Sequence, residues 1–232
     1  MLLCTLILAK KGQLLIEFMG FHFNIDKSRR IKIPRIKCNT EGIFTFCFPY
    51  RYSKKQQLER VEAYIKHNHD KMQQMHMLQY SKHIKAMQYI EQNPNMLLFF
   101  DTYLNVNTLD IESLRQKFYN KVKIMLDEWA KLMQLNYTSL TISHSKSYLG
   151  QCDNKARIKI DYRNMLSHET LLHYLIVHEL AHIRHPNHSK SFWQEVWTFY
   201  PNYKNARKEL KEMADRNAII LRHYGLLPKS LC

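Results

Sequence analysis

Glycine is scarce in this chain, with five among 232 residues, and none of them forms the glycine-rich turn whose backbone N–H groups cradle a phosphate. A nucleoside triphosphate would have to be held by a metal and by scattered Arg and Lys. Cysteine is equally sparse. Cys4, Cys38, Cys47, Cys152 and Cys232 are odd in number, scattered and without a CxxC pair. That pattern argues for a reducing compartment and against a disulfide scaffold or a cysteine-held zinc. No stretch reaches 18 consecutive apolar residues, so no membrane-spanning helix is expected. The apolar run from Met1 to Ala9 is followed by Lys10 and Lys11, whereas a secretory leader carries its charge first and a small-residue cleavage site after. It reads as a β-strand or as an extension from an upstream start codon. A soluble, cytoplasmic protein with no membrane partner is expected.

Acid is also in short supply. The chain has 20 Asp and Glu against 35 Lys and Arg, a formal charge of +15. Residues 1–50 carry 8 cations against 3 anions, and residues 51–90 carry 8 against 3, so the excess is spread without a dense tract. Nucleic acid is a partner this balance admits if folding gathers the charges into a surface.

What is present is enough apolar residue, 45%, to bury a substantial core, and one stretch rich in chemistry, HELAHIRHPNHSKSFW at 178–193. His178 and His182 lie four apart and share a helix face, where they can grip one divalent ion, with Glu179 beside them to reach a water on it. The preceding run 169–177 is apolar nearly all round, which predicts a buried helix. Ser167 is the expected N-cap, Glu169 faces the positive end of the dipole, and Pro186 stops the helix near His185. Three ligands on one helix would approach from one side. His188, presented after the turn at Pro186-Asn187, is therefore a better third ligand than His185. Residue frequencies give roughly 0.04 chance HExxH matches in such a chain, and the apolar helix, the proline and the further His reduce that figure.

The same residues resemble the bacterial YgjP-like metallopeptidase family, whose pattern is HELxH, a short turn and then His-Ser-x-x-Phe-Trp, over about residues 20–222 of this chain. The spacing of the third His also resembles the Wss1-like and SprT-like zinc proteases. The resemblance implies one zinc ion held by His178, His182 and His188, with Glu179 as general base. It aligns the family's Lys-x-Arg-Trp-Gly-Ser-Cys element with residues 146–152, which keep Lys146, Gly150 and Cys152 but place Tyr148, Leu149 and Gln151 where the family has Arg, Trp and Ser.

Along the rest of the chain, residues 14–18 and 21–25 read as strands, 30–33 as a strand interrupted at Pro34, 39–42 as a turn and 43–48 as a strand stopped by Pro49. Together they predict a small antiparallel sheet. Leu58, Val61 and Ile65, then Met72, Met75 and Leu78, recur at helical spacing and predict one long helix or a helical pair over 53–92. His76 and His83 share a face there without a carboxylate and read as solvated. Residues 110–134 form an amphipathic helix, 139–143 and 157–161 two strands around Gly150, and 203–223 a last helix capped by Gly225. The aromatic pairs between Phe192 and Tyr200 are expected to pack beneath the motif helix. The fold class is α+β: an N-terminal antiparallel sheet (1–52), a helical connector (53–107) and a zincin-like catalytic part (108–232) with HExxH on a buried helix.

The function this supports is a zinc-dependent hydrolase of metallopeptidase type. Tyr148, Lys146, Arg157 and His185 are the candidates for stabilising an oxyanion or contacting substrate. The resemblance adds a second substrate class, with UTP pyrophosphatase activity at the same site. A protease associated with nucleic acid is the third reading.

Overall fold

The computed structural model describes residues 5–8, 14–39, 41–100, 102–145 and 148–227. The chain divides into two compact units, residues 1–85 and 86–232. No helix among the described residues is long and apolar enough to cross a membrane.

The first unit is a five-stranded sheet under two helices. β1 (Thr5–Leu8), β2 (Leu14–Phe18), β3 (Phe21–Ser28), β4 (Arg35–Cys38) and β5 (Phe44–Pro49) lie in the order β1-β2-β3-β5-β4. The expected antiparallel sheet is in fact mixed, because β3 and β5 pair in parallel, with Phe23 opposite Phe44 and Ser28 opposite Pro49. The reason is topological. The chain leaves β3, travels outward to β4 and returns through the Asn39–Gly42 turn to insert β5 between them, so β5 runs antiparallel to β4 and parallel to β3. The strand expected at 30–33 starts instead at Arg35. Pro34 has no N–H to give a ladder, so pairing begins after it, and β4 takes the edge position.

Period-2 alternation puts Phe21, Phe23, Phe44, Phe46 and Phe48 on one face, where Val61, Ile65 and Met72 cover them. Phe21 meets Phe44 and Phe23 meets Phe46 edge to face, at 5.5 and 5.6 Å. α1 (Lys54–His67) starts from a capping box between Ser53 and Gln56 and stops at Asn68. α2 (His69–Gln92) follows at once, so the helical pair is the alternative realised. Its expected stripe buries only Met72 fully, while Leu78 is 59% exposed. The segment expected as a connector is divided: α1 and the start of α2 complete the first core, and Ala86, Ile90 and Leu97 belong to the second.

In the second unit the hairpin β6 (Met96–Phe99) and β7 (Thr102–Asn105) precedes α3 (Ile111–Leu132), which Asp110 caps through the N–H groups of Glu112 and Ser113. A three-stranded sheet follows, in the order β8 (Ser139–Ser143), β10 (Arg157–Asp161), β9 (Gly150–Cys152). The two expected strands pair in parallel, and Gly150 begins a third strand at the edge. A short 3-10 turn (Tyr162–Leu166) leads into α4 (Glu169–Arg184), α5 (Lys190–Phe199) and α6 (Tyr203–His223). At the end of α6, Gly225 adopts φ +69 and the Leu226 N–H returns to Leu221 O at 2.8 Å, the left-handed cap expected there. α4 is the buried centre of this unit, with Leu172, Ile176, Val177, Leu180 and Ala181 fully enclosed.

Candidate metal centre

The ends of α4 decide where its histidines point. Its first turn is not capped by Ser167. That hydroxyl, 2% exposed, accepts a hydrogen bond from Asn217 Nδ2 on α6 at 3.2 Å, and His168 takes the cap position without a side-chain bond. The buried Asn217 amide also donates to Arg163 O at 3.0 Å, and it claims the serine that the helix would otherwise use. At the other end the His185 N–H closes the last turn on Ala181 O, and His185 itself is extended, as a residue before proline prefers. The chain turns through Pro186 and Asn187, and Ser189 caps α5 by accepting from the Phe192 N–H at 3.3 Å.

That reversal brings His188 back over α4. Its Nε2 lies 3.1 Å from His178 Nε2, and one ring nitrogen from each of His178, His182 and His188 falls within 4.8 Å of the others. This is the only such cluster of three among the described residues. His182 Nδ1 faces His185 O at 3.0 Å; a proton there leaves Nε2 free to ligate. Phe192 packs against all three rings at 4.5–4.9 Å, and Trp193 stacks on His188 and under Tyr203. The expected aromatic support is therefore present at Phe192 and Trp193. Trp197, one turn further on, is 52% exposed and takes no part. Burial lowers the pKa of all three histidines, His178 to about 3, so they stand as neutral imidazoles.

Glu179, next to His178 on the same turn, lines the same cleft and faces the edge strand β9. It is 3% exposed, and burial raises its carboxyl to about 8 while the Cys152 N–H donates to it. Gly150 faces the carboxylate so closely that a Cβ there would lie 2.4 Å from Glu179 Oε1 and 2.8 Å from Cδ. The spacing of Gly150 and Cys152 in the 146–152 element thus has a local cause: one makes room for Glu179 and the other bonds it. Burial pushes the Cys152 thiol up to about 11, so it stays protonated.

A cleft of about 460 Å³ opens over these residues, lined among others by Tyr148, Leu149, Tyr174, His178, Glu179, His188, Arg207 and Lys211. Of the four residues expected to aid an oxyanion or substrate, Tyr148 lines it. Lys146 lies outside the described residues. Arg157 is turned to Asp153, with Nη2 and Oδ2 2.7 Å apart, and is not in the cleft lining. The His185 ring bonds Glu195 Oε2 at 2.8 Å, away from the cluster. Both corrections have one physical reason: a nearby carboxylate already engages the side chain.

Several residues of the site escape sequence reading. Asp161, Arg163 and Asn164 are buried and hold Ser145, Tyr148 and Leu149, which precede β9. Asp161 Oδ2 accepts from the Ser145 N–H at 2.6 Å, Arg163 Nη2 donates to Ser145 O at 2.6 Å and Tyr148 O at 3.2 Å, and Asn164 Nδ2 donates to Leu149 O at 3.0 Å. Their signal is three polar residues within an otherwise apolar run, 160–166. Arg207 lies 5.0 Å over the Trp193 ring and reaches the cleft. Nothing in the basic sequence of α6 distinguishes it from its neighbours.

Residues 36–213 match a metallopeptidase domain. That domain is the YgjP-like one, and since it spans more than half of the sequence, the chain belongs to the YgjP-like metallopeptidase family. Among solved structures, the chain is similar to the metallopeptidase zymogen of Pyrococcus abyssi abylysin, with 24% identity over 38% of this chain and 90% of that one and a TM-score of 0.36. It is similar also to the zymogen of Methanocaldococcus jannaschii jannalysin, with 23% identity over 39% and 89% and a TM-score of 0.34. No curated protein matches it.

Proposed function

We propose that this protein is a zinc-dependent peptide hydrolase in which His178, His182 and His188 hold one metal ion and Glu179 is the general base. The observation that carries this is the convergence of three imidazole nitrogens within 4.8 Å beside a buried Glu179 side chain. The donor set fits zinc: three nitrogens from a helix and the turn beyond it, with one side open to the cleft. When bound there, zinc would supply a Lewis acid and make water acidic near neutral pH.

The chain's own residues do the rest. With a cation held by the histidines favouring its ionised form, the Glu179 carboxylate takes the proton of the attacking water and returns it to the leaving nitrogen. Gly150 and the Cys152 N–H hold that carboxylate in one place, so that geometry is set before substrate arrives. Phe192 seals the back of the histidine cluster. Tyr148, at the cleft wall, is the side chain placed to donate to a developing oxyanion.

A nucleotide substrate is the second reading, and the observation favouring it is Arg207 and Lys211, two cations one turn apart on α6 in the cleft lining. The test separates the two. Wild type and Glu179→Gln, each loaded with zinc and checked for metal content, are given a mixed peptide library and UTP. Peptide cleavage by wild type alone supports the peptidase reading, and pyrophosphate release by wild type alone replaces it with the nucleotide reading. Inactivity of both toward both substrates at full metal content sinks the hydrolase.

A further inference from the structure

The surplus of positive charge is not shared evenly. Residues 1–85 hold 16 Lys and Arg against 6 Asp and Glu, whereas residues 86–232 hold 19 against 14. In the first unit part of that surplus converges where the β3–β4 connection meets the junction of β5 and α1. The Arg29 guanidinium lies 5.2 Å over the ring of Tyr50. Arg51 and Arg60 cover Tyr52 at 5.5 and 5.1 Å. Arg51 Nη2 also donates to Lys32 O at 3.0 Å, which ties the connection to the junction, and Lys54 and Lys55 open α1 just beyond.

Three features of this patch cost stability, and a purely structural surface would avoid them. Tyr50 is 56% exposed. The first turn of α1 holds two lysines and no acid, the wrong sign for the positive end of a helix dipole. Finally, none of Arg29, Lys32, Arg51, Lys54, Lys55 or Arg60 is in an ion pair among the described residues, although Lys66 on the same helix is paired with Glu62. Unpaired cations around one exposed ring, that of Tyr50, suit a chain of phosphates with free bases: cations take the backbone and the ring stacks a base. A duplex would satisfy the cations but not the ring, since its bases are already stacked.

We propose that this Arg–Tyr patch is a binding surface for single-stranded nucleic acid. It uses no residue of the metal centre and does not depend on the hydrolase reading.

Fluorescence anisotropy with labelled oligo-dT and oligo-U of about 20 nucleotides tests it, because single-strand sites span roughly 4–16 nucleotides. Wild type is expected to bind at about 50 mM salt, with log K falling against log salt at a slope of about −3.5 for five phosphate contacts. Tyr50→Ala should weaken binding about tenfold through lost stacking. Arg29→Glu with Lys55→Glu should flatten the salt slope. These side chains are exposed, and circular dichroism checks that each variant is folded. The oligo-dT and oligo-U arms distinguish DNA from RNA as the source of the strand. Absence of binding at low salt overturns the proposal. So does equal affinity for duplex, or competition by inorganic polyphosphate combined with indifference to Tyr50→Ala, since either reduces the patch to a generic polyanion surface.

Discussion

Two helices of this protein carry histidines along one face, and only one of them builds a site. On α2, His76 and His83 are seven residues apart with Tyr80 between them, the rings stacked at 5.8 and 6.4 Å, and the helix leaves Met77 and Leu78 exposed. On α4, His178 and His182 are four apart within a buried helix, and a proline turn returns His188 to them. Each region also has a glycine pressed against a polar side chain. A Cβ at Gly42 would lie 2.4 Å from His76 Nε2, as one at Gly150 would from Glu179 Oε1. In α2 this contact packs a turn against a helix. In α4 it places a carboxylate beside three clustered imidazoles. The difference lies in the enclosure and in what converges within it, not in the histidine.

The comparison can be broken most sharply by metal content. His182→Ala should take bound zinc from one equivalent to almost none by mass spectrometry, whereas the double change His76→Ala and His83→Ala should keep the full equivalent. Metal lost from the α2 variant would mean that the two helices are not so different. Next in size is Gly150→Ala. Displacing the Glu179 carboxylate by the width of a methyl group should lower turnover about a hundredfold with zinc retained, as small misplacements of a catalytic group do. Unchanged turnover would show that the carboxylate tolerates other positions.

Gly42→Ala should cost about 2 kcal/mol in urea unfolding, because φ is +79 and the new Cβ meets the His76 ring. Adding His76→Ala removes the clash but not the strain and should leave a loss of about 1 kcal/mol. A double variant no better than the single would show that the ring is not the obstacle.

The smallest effect contrasts a partly exposed carboxylate with the buried one. Hydrogen bonds from the Arg157 guanidinium and its N–H hold Asp153, at the turn between β9 and β10, down to about 2. A depressed acid stabilises the fold fully above its ordinary pKa, near 4, and the contribution fades as pH falls toward 2. Wild type should therefore resist urea slightly better than Asp153→Asn at pH 6, with the gap closing between about pH 4 and about pH 2. A gap that widens on acidification would reverse the assignment.

Much of this was legible in residue spacing. The pair His178 and His182, the stop at Pro186, the return of His188, the cap at Gly225 and the helix from Ile111 are local patterns, and the structure shows each of them. The parallel pairing of β3 with β5 was not legible, because strand alternation says which face is buried and not which neighbour is chosen. Ser167 had the right residue type for a cap, but Asn217, fifty residues away, holds it. Arg157 and His185 had the right donor groups for a site, and Asp153 and Glu195 occupy them.

The sequence by itself determined the three histidines, their helical spacing and the turn that brings the third one round, since these depend on bond geometry within a few residues. Only the tertiary structure decided that Gly150 and Cys152 frame Glu179, that Arg207 and Tyr148 reach the cleft, and that scattered cations of the first unit meet around two tyrosines. Those contacts join residues distant in the chain, and burial against a common core, which no local pattern encodes, is what brings them together.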